Sequence, residues 1–224
     1  PKCFSLIENY EESFDFLKRL FVILHRNKVD CVTLDYSKCE RIDVDASICM
    51  DVLLAEFIYY INRCRRLGYF DVFNKGIRPI NFEKDDIFKV LLSIGAFRNI
   101  KGISKKFKDV EGLPVLINDQ NSEDVWARSE IDQTKIVEYI KRCLGKLGRE
   151  LPIEEETSFY KVIGEVMSNA EEHGTMPHRF AIGYFQETHK DDEHFGFFNF
   201  SILNFGDTIY QTFKKEQCPN KKAV

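Results

Sequence analysis

The sequence predicts two domains, an α/β sandwich followed by an α+β domain in which helices cover a small sheet. Strand-like and helix-like segments alternate over the first part of the chain, a pattern typical of an α/β sandwich. A stretch rich in Lys, Gly, Asn and Asp follows at residues 99–123, with one short apolar run inside it. Two helix-like and then two strand-like segments come after it. We therefore expect a first domain over residues 1–118 and a second over residues 119–224.

The elements of the first domain are predicted from the spacing of apolar residues. Apolar residues three and four apart indicate helices, and strict alternation indicates half-buried strands. The longest helix should end where Arg65 and Arg66 precede Gly68, because cations and a following glycine are common at helix C-termini. Gly76 and Pro79 indicate a turn. The predicted elements are a helix over 12–25, a strand over 30–36, a helix over 46–66, a strand over 69–73 and a helix over 85–94.

The second domain is predicted to contain two helices and a β-hairpin. Helical spacing runs from Ile131 to Leu147, and it resumes at Glu154. The strand candidates are residues 179–187 and 195–203, and the polar segment between them reads as a hairpin loop. This segment contains two histidines and three acidic residues: His189, His194, Asp191, Asp192 and Glu193. We interpret them as a polar hairpin tip and not as metal ligands.

Composition limits the classes of function. Of the 224 residues, 44% are hydrophobic, which is enough for a core in each of two domains. The formal net charge of -4 provides no general attraction for nucleic acid. No apolar run approaches the length of a membrane span, and the N-terminus lacks the order of a secretory signal. We therefore predict a cytoplasmic protein that binds neither nucleic acid nor a membrane, with its seven cysteines reduced.

The segment 161–174 carries the most informative pattern in the chain. Glu165, Asn169 and His173 recur every four residues, so on a helix they form one polar strip. An apolar face beside this strip should pack against a sheet. The members of that face are Phe159, Ile163, Val166, Met167 and Ala170. The helix is therefore predicted to be buried on one side and to carry chemically useful groups on the next.

In the first domain, a strand is followed by Cys39-Glu-Arg-Ile-Asp43, a helix enters through Val-Asp-Ala-Ser47, and a later segment ends in Ser-Ile-Gly-Ala-Phe97. In the order of these segments and in the turn residues between them, residues 4–100 resemble the STAS domains of anti-sigma factor antagonists. In that family a serine at the helix start is phosphorylated by a partner kinase, and here Asp45 occupies that position. Two alternatives stay open: the fixed charge of Asp45 mimics the phosphorylated state, or Asp45 is simply an N-cap. Ser47 lies two residues further on.

The second domain is similar to the histidine-kinase-like ATPase (GHKL, Bergerat) superfamily over residues 127–213. Glu165-x-x-x-Asn169-Ala-x-x-His173-Gly matches its N box, and Ser201-Ile-Leu-Asn-Phe-Gly-Asp-Thr-Ile209 occupies the place of its Asp-x-Gly-x-Gly box. The resemblance implies that Asn169 binds Mg²⁺ through its carboxamide oxygen, an oxygen ligand of the kind that this ion prefers. It further implies that Glu165 acts on water or on a substrate hydroxyl, and that His173 faces the phosphates.

The second box implies the adenine contacts and also departs from the family pattern. Asn204 stands where the family has an aspartate that accepts a hydrogen bond from adenine, and Thr208 replaces the second glycine. Gly206 keeps the close backbone approach that glycine permits. The glycine-rich lid of the family is not found in the chain, so we expect either a lid beyond its end or a degenerate site.

The function expected from both resemblances is that of a regulatory protein that binds ATP and Mg²⁺. It would be a magnesium-dependent ATPase or a serine/threonine kinase, coupled to a STAS-like domain that binds a protein partner or the other domain of the same chain. The alternative is a non-catalytic interaction scaffold with a degenerate nucleotide site.

Overall fold

The structure is a computed structural model that describes residues 1–26, 31–66, 76–95, 107–119, 125–172, 174–190 and 193–206. The chain divides into two compact units, Pro1–Lys106 and Phe107–Val224. Within the described ranges there are five helices and seven strands, which is a mixed α/β composition at the level that was predicted. Among these helices, none combines the length and the apolarity that crossing a membrane requires.

The first unit contains three helices and two small parallel sheets. Strands β1 (Cys3–Phe4) and β3 (Arg41–Ile42) form one pair, and β2 (Cys31–Asp35) and β4 (Gly76–Ile80) form the other. The helices are α1 (Tyr10–Arg26), α2 (Val44–Arg66) and α3 (Asp85–Ser93). The strands of each pair run parallel, so a helix lies between them in the chain, α1 in the first pair and α2 in the second.

The buried faces of the first unit have helical and strand periodicities, although Phe14 and Phe21 on α1 are exposed. In α1, Leu17, Leu20 and Leu24 are buried at helical spacing, and in β2 the buried residues Val32 and Leu34 alternate with exposed ones. In α3 the acidic residues of the first turn stabilise the helix, because negative charge interacts favourably with the positive end of the helix dipole. The helix is followed by Gly95 at a φ of 79°, a left-handed conformation that glycine adopts without steric cost.

One detail of the first unit differs from the predictions. Residues 76–80 form strand β4, although Gly76 and Pro79 had indicated a turn. Proline is tolerated in a strand where its missing N–H is not needed for pairing, and Pro79 lies opposite Leu34 in the pair with β2. The strand predicted over 69–73 lies outside the described residues.

The second unit is an antiparallel sheet of three strands with two helices packed on one face. Its strands are β5 (Val110–Asp119), β6 (Gly174–Lys190) and β7 (Glu193–Gly206), in the order β5-β6-β7. Its helices are α4 (Val125–Lys146) and α5 (Ile153–Glu172). Because β5 pairs with β6, the division of the chain lies before β5 and therefore earlier than the predicted boundary at 118/119.

The core of the second unit lies between the two helices and the sheet. It consists of Leu113, Ile136, Val137, Tyr139, Cys143, Ile163, Met167, Ala181 and Phe185. Gly183 lies under the ring of Tyr139, and a Cβ atom at this position would come within 2.6 Å of that ring. The absence of a side chain at Gly183 therefore allows α4 to approach β6 closely.

Candidate functional site

Helix α5 carries the residues of the first predicted motif. Ile163, Met167 and Ala170 are buried in its packing against the sheet, as predicted. The other two residues assigned to this face, Phe159 and Val166, are exposed. The predicted apolar face is therefore too wide, because a helix that lies on a sheet buries a narrower stripe than the full apolar arc of its sequence.

Glu165 and Asn169 lie on the exposed side of α5, one helical turn apart. Both residues are exposed to solvent, and they offer a carboxylate and a carboxamide oxygen. These are hard oxygen donors, and they could take part in binding a hydrated magnesium ion together with phosphate oxygens. His173, which the motif also includes, lies outside the described residues, and so does Thr208.

Asn204 connects the second predicted motif to the end of α5. Its Nδ2 atom donates a hydrogen bond to the backbone carbonyl oxygen of Ala170 (3.0 Å). This carbonyl belongs to the last turn of α5, where carbonyl groups lack a partner within the helix. Because a carbonyl can only accept, the contact fixes the orientation of the Asn204 amide and leaves Oδ1 as its accepting end.

Gly206 lies at the end of β7, where its register partner in β6 is Gly174. The pairing is irregular between this point and Arg179. Gly174 is the last residue of the first predicted motif and Gly206 belongs to the second, so the two motifs meet in the backbone of the sheet. The structure thus places Asn204 and Gly206 at the same end of the second unit as the last turns of α5.

A row of three polar side chains, which the sequence pattern does not predict, crosses the sheet at this end. Asn118 on β5, Arg179 on β6 and Asn204 on β7 are register partners across the sheet. Each side chain is directed toward the helices, because Asn118 and Arg179 contact Glu171 and Asn204 contacts Ala170. Asn118 and Arg179 are both only 1% exposed.

The charges in this row are balanced by carboxylates from both helices. Glu171 Oε1 accepts hydrogen bonds from Arg179 Nε (3.0 Å), Asn118 Nδ2 (3.1 Å) and Ser129 Oγ (3.3 Å). The second partner of Arg179 is Asp132 on α4, at 3.6 Å between Nη2 and Oδ2. This ionic cluster joins α4, α5, β5 and β6, and its members are Asn118, Ser129, Asp132, Glu171 and Arg179.

Arg179 is therefore not available to phosphate. Its guanidinium is buried and paired, whereas a phosphate ligand has to be reachable from solvent. The sequence signal that could have revealed this arrangement is the strand alternation of β6, which places Arg179 on the same face as Ala181 and Phe185.

A second region of interest lies in the first unit, at the start of α2. Asp43 occupies the N-cap, since its carbonyl oxygen accepts from Ser47 N (3.0 Å), and so the predicted N-cap role of Asp45 is wrong. Asp45 lies within the first turn and accepts hydrogen bonds from the backbone N–H groups of Leu6 (3.0 Å) and Ala46 (2.7 Å). Burial raises the pKa of Asp45 above its usual value, an effect that these two hydrogen bonds oppose.

Ser47 is fully buried in the structure, and its hydroxyl has no hydrogen-bond partner among the described residues. A partner kinase would require this hydroxyl to be exposed. The conformation described is therefore not one in which Ser47 can be phosphorylated.

The fold and the site together define a mixed α/β protein whose second unit brings an exposed Glu–Asn strip close to a strand end bearing an asparagine and a glycine. Comparisons of the chain with protein-family models, with curated proteins and with solved structures find no match.

Proposed function

We propose that the second unit binds ATP together with Mg²⁺, and that nucleotide occupancy regulates what the first unit binds. In this proposal the second unit is a Bergerat-type domain of the histidine-kinase-like class, and the first is a STAS-like interaction domain. The partner is a protein of the anti-sigma regulatory type or the other unit of the same chain.

The observation that carries the proposal is the hydrogen bond from Asn204 to Ala170. It joins the two sequence motifs, which are separated by the whole of β6. It also orients the amide so that Oδ1 can accept a hydrogen bond, and the exocyclic amine of adenine is a donor that fits this requirement. Guanine presents a carbonyl oxygen at the corresponding position, so the same amide orientation disfavours it.

The exposed strip of α5 supports the phosphate and metal side of the proposal. Magnesium binds few protein groups and keeps water and phosphate ligands, so a single carboxamide oxygen from Asn169 is sufficient. In this proposal Glu165, one turn earlier on α5, orients a water molecule or a substrate hydroxyl. When bound, the ion would neutralise charge on the phosphate oxygens.

Calorimetric titration of the full chain with ATP, in magnesium and then in EDTA, tests the proposal. We expect binding that is tighter in magnesium, and an Asn169→Ala variant that loses about tenfold or more of the magnesium-dependent affinity. Asn199→Ala is the matched control, because Asn199 is an exposed asparagine on β7. An absence of ATP binding in both conditions, with the fold intact, would refute the proposal.

Phosphate release then distinguishes hydrolysis from binding alone. If Glu165 activates water, Glu165→Gln should lower the release rate by about 100-fold or more while ATP affinity is retained. Glu155→Gln is the control, since Glu155 is an exposed glutamate in the first turn of the same helix. Equal rates in wild type and Glu165→Gln would remove the catalytic role of this residue.

A non-catalytic interaction module is the second candidate, and an exposed apolar strip on α5 favours it. Phe159, Val162 and Val166 are 39%, 61% and 46% exposed and adjoin the polar strip. The departures of Asn204 and Thr208 from the family pattern point in the same direction. The ATP titration separates the two candidates, because a scaffold of this kind keeps its fold and shows no magnesium-dependent binding.

A further inference from the structure

The tip of the hairpin formed by β6 and β7 brings two histidines and a glutamate together. Nε2 of His194 lies 2.6 Å from Oε1 of Glu187, and Nε2 of His189 lies 3.3 Å from the same oxygen. The two imidazole rings stack with their centroids 4.3 Å apart and their planes inclined by 13°. One potential ligand atom from each residue thus lies within 4.8 Å of the other two.

Strand geometry accounts for this convergence. His189 and His194 are direct partners across the hairpin, so their Cβ atoms lie side by side. Glu187 precedes His189 by two residues and therefore projects from the same face of β6. Its own partner is Gly196, which has no side chain, and a Cβ atom there would collide with the ring of Phe185 at 2.2 Å. The Phe185 ring fills the place of a side chain at Gly196, so β7 contributes no side chain of its own opposite Glu187.

We propose that this hairpin tip is a binding site for a divalent transition-metal ion, and that this ion is Zn²⁺. The ligands are Nε2 of His189, Nε2 of His194 and a carboxylate oxygen of Glu187. Two imidazoles and one carboxylate are a common ligand set for zinc, and imidazole nitrogen disfavours Mg²⁺ and Ca²⁺. The remaining coordination positions face solvent, because His189 and His194 are exposed.

The distances present in the structure are close to those that the ion requires. Ligand atoms at about 2.1 Å from a tetrahedral zinc ion are about 3.4 Å apart. The two separations between histidine nitrogen and carboxylate oxygen, 3.3 Å and 2.6 Å, need only small side-chain rotations to reach that value. The backbone of a paired hairpin already holds the three residues in place, so little ordering is needed on binding.

The proposed metal site is independent of the proposed nucleotide site. His189 is ten residues along β6 from Arg179, or about 33 Å in an extended strand. Glu165 and Asn169 are not among its ligands. Failure of either proposal therefore leaves the other intact.

Zinc competition titration of the full, metal-stripped chain against a chromogenic chelator tests the inference. Before the titration, all cysteines are blocked by alkylation under denaturing conditions and the chain is refolded. If refolding fails, the titration is done in a Cys31→Ser background instead, because Cys31 is exposed. We expect one zinc ion per chain with micromolar affinity. His189→Ala and His194→Ala should each weaken binding by at least about tenfold.

His25→Ala is the matched control, because His25 is an exposed histidine on α1. It should bind zinc as the wild type does. Cobalt substitution supplies a second readout, since absorption in the visible region reports nitrogen and oxygen ligands, and this absorption should be lost in His194→Ala. Zinc binding that is equal in wild type, His189→Ala and His194→Ala, or binding weaker than millimolar in the wild type, would overturn the proposal.

Discussion

One face of the β5-β6-β7 sheet carries polar residues at both of its ends, and the two groups of residues differ in what they contact. At one end, Arg179 and Asn118 are buried and tied to Glu171 of α5. At the other end, His189 and His194 contact each other and Glu187, all three within the hairpin itself. The two sets are on the same face of β6, since its side chains alternate from residue 179 to residue 189 without a break in register.

The difference follows from where the helices lie. Helices α4 and α5 cover the central part of the face, and Tyr139 and Met167 are buried there against the sheet. Charges under the helices must be paired because burial of a lone charge is costly, so they become part of the structure. Charges beyond the helices keep contact with water, so they remain free to bind a ligand. Position under or beyond the helices decides which kind of site a polar residue forms.

The largest effect is expected at the buried end. Arg179→Met should lower the free energy of unfolding of the second unit by about 3–5 kcal/mol, because it leaves the carboxylates of Glu171 and Asp132 buried without their cation. Urea denaturation followed by tryptophan fluorescence measures this, since the single tryptophan of the chain, Trp126, lies in α4. Arg149→Met, at an exposed arginine, should cost less than about 0.5 kcal/mol. Equal losses in both variants would contradict the structural role of the ionic cluster.

A slightly smaller effect is expected in the apolar centre of the face. Met167→Ala should cost about 2–5 kcal/mol, because Met167 is 1% exposed and its removal leaves a cavity between α5 and the sheet. Val166→Ala, at the adjacent and 46% exposed position, should cost less than about 1 kcal/mol. The same denaturation measurement compares them. If the two losses were similar, the orientation of α5 on the sheet would be incorrect.

The helices and the hairpin were predictable from the sequence because each has a clear periodicity. The leucines of α1 and the Ile163–Met167–Ala170 stripe of α5 are spaced for one buried face. Strand β4 was missed because Gly76 and Pro79 are turn residues in most contexts, and their pairing with β2 depends on a partner more than forty residues away in the chain. The residue pattern within one segment does not reveal a strand partner that lies far away in the chain.

The polar strip of the candidate site was predictable as an exposed surface, but the ionic cluster was not. Arg179 begins a segment in which Phe180, Ala181, Ile182, Tyr184 and Phe185 are all buried. Strand geometry groups Arg179 with Ala181 and Phe185, but a strand buried on both faces does not show in its sequence which of its faces lies under the helices. The hairpin cluster was missed for a different reason, since Glu187 had been counted within the strand and only the register of the hairpin places it beside the histidines.

An intermediate effect is expected at Asn204, on the edge of the buried end. Asn204→Asp should cost about 1–3 kcal/mol, because it removes the donor to the Ala170 carbonyl and places carboxylate oxygens at the negative end of the α5 dipole. Asn199→Asp makes the same change at an exposed position of β7 and should be nearly neutral. Thermal unfolding at neutral pH compares the two variants. No difference between them would mean that the Asn204–Ala170 contact does not contribute to stability.

The smallest effect is expected at the exposed end. In metal-free buffer, His194→Ala should change the free energy of unfolding by less than about 0.5 kcal/mol, because its contact with Glu187 lies at the surface, where water competes with it. With zinc in excess, the wild type should gain stability through ligand binding and His194→Ala should gain little. Denaturation with and without zinc gives both values. A large loss in metal-free buffer would show that the hairpin tip is a structural cluster like the one around Arg179, and the contrast between the two ends would not hold.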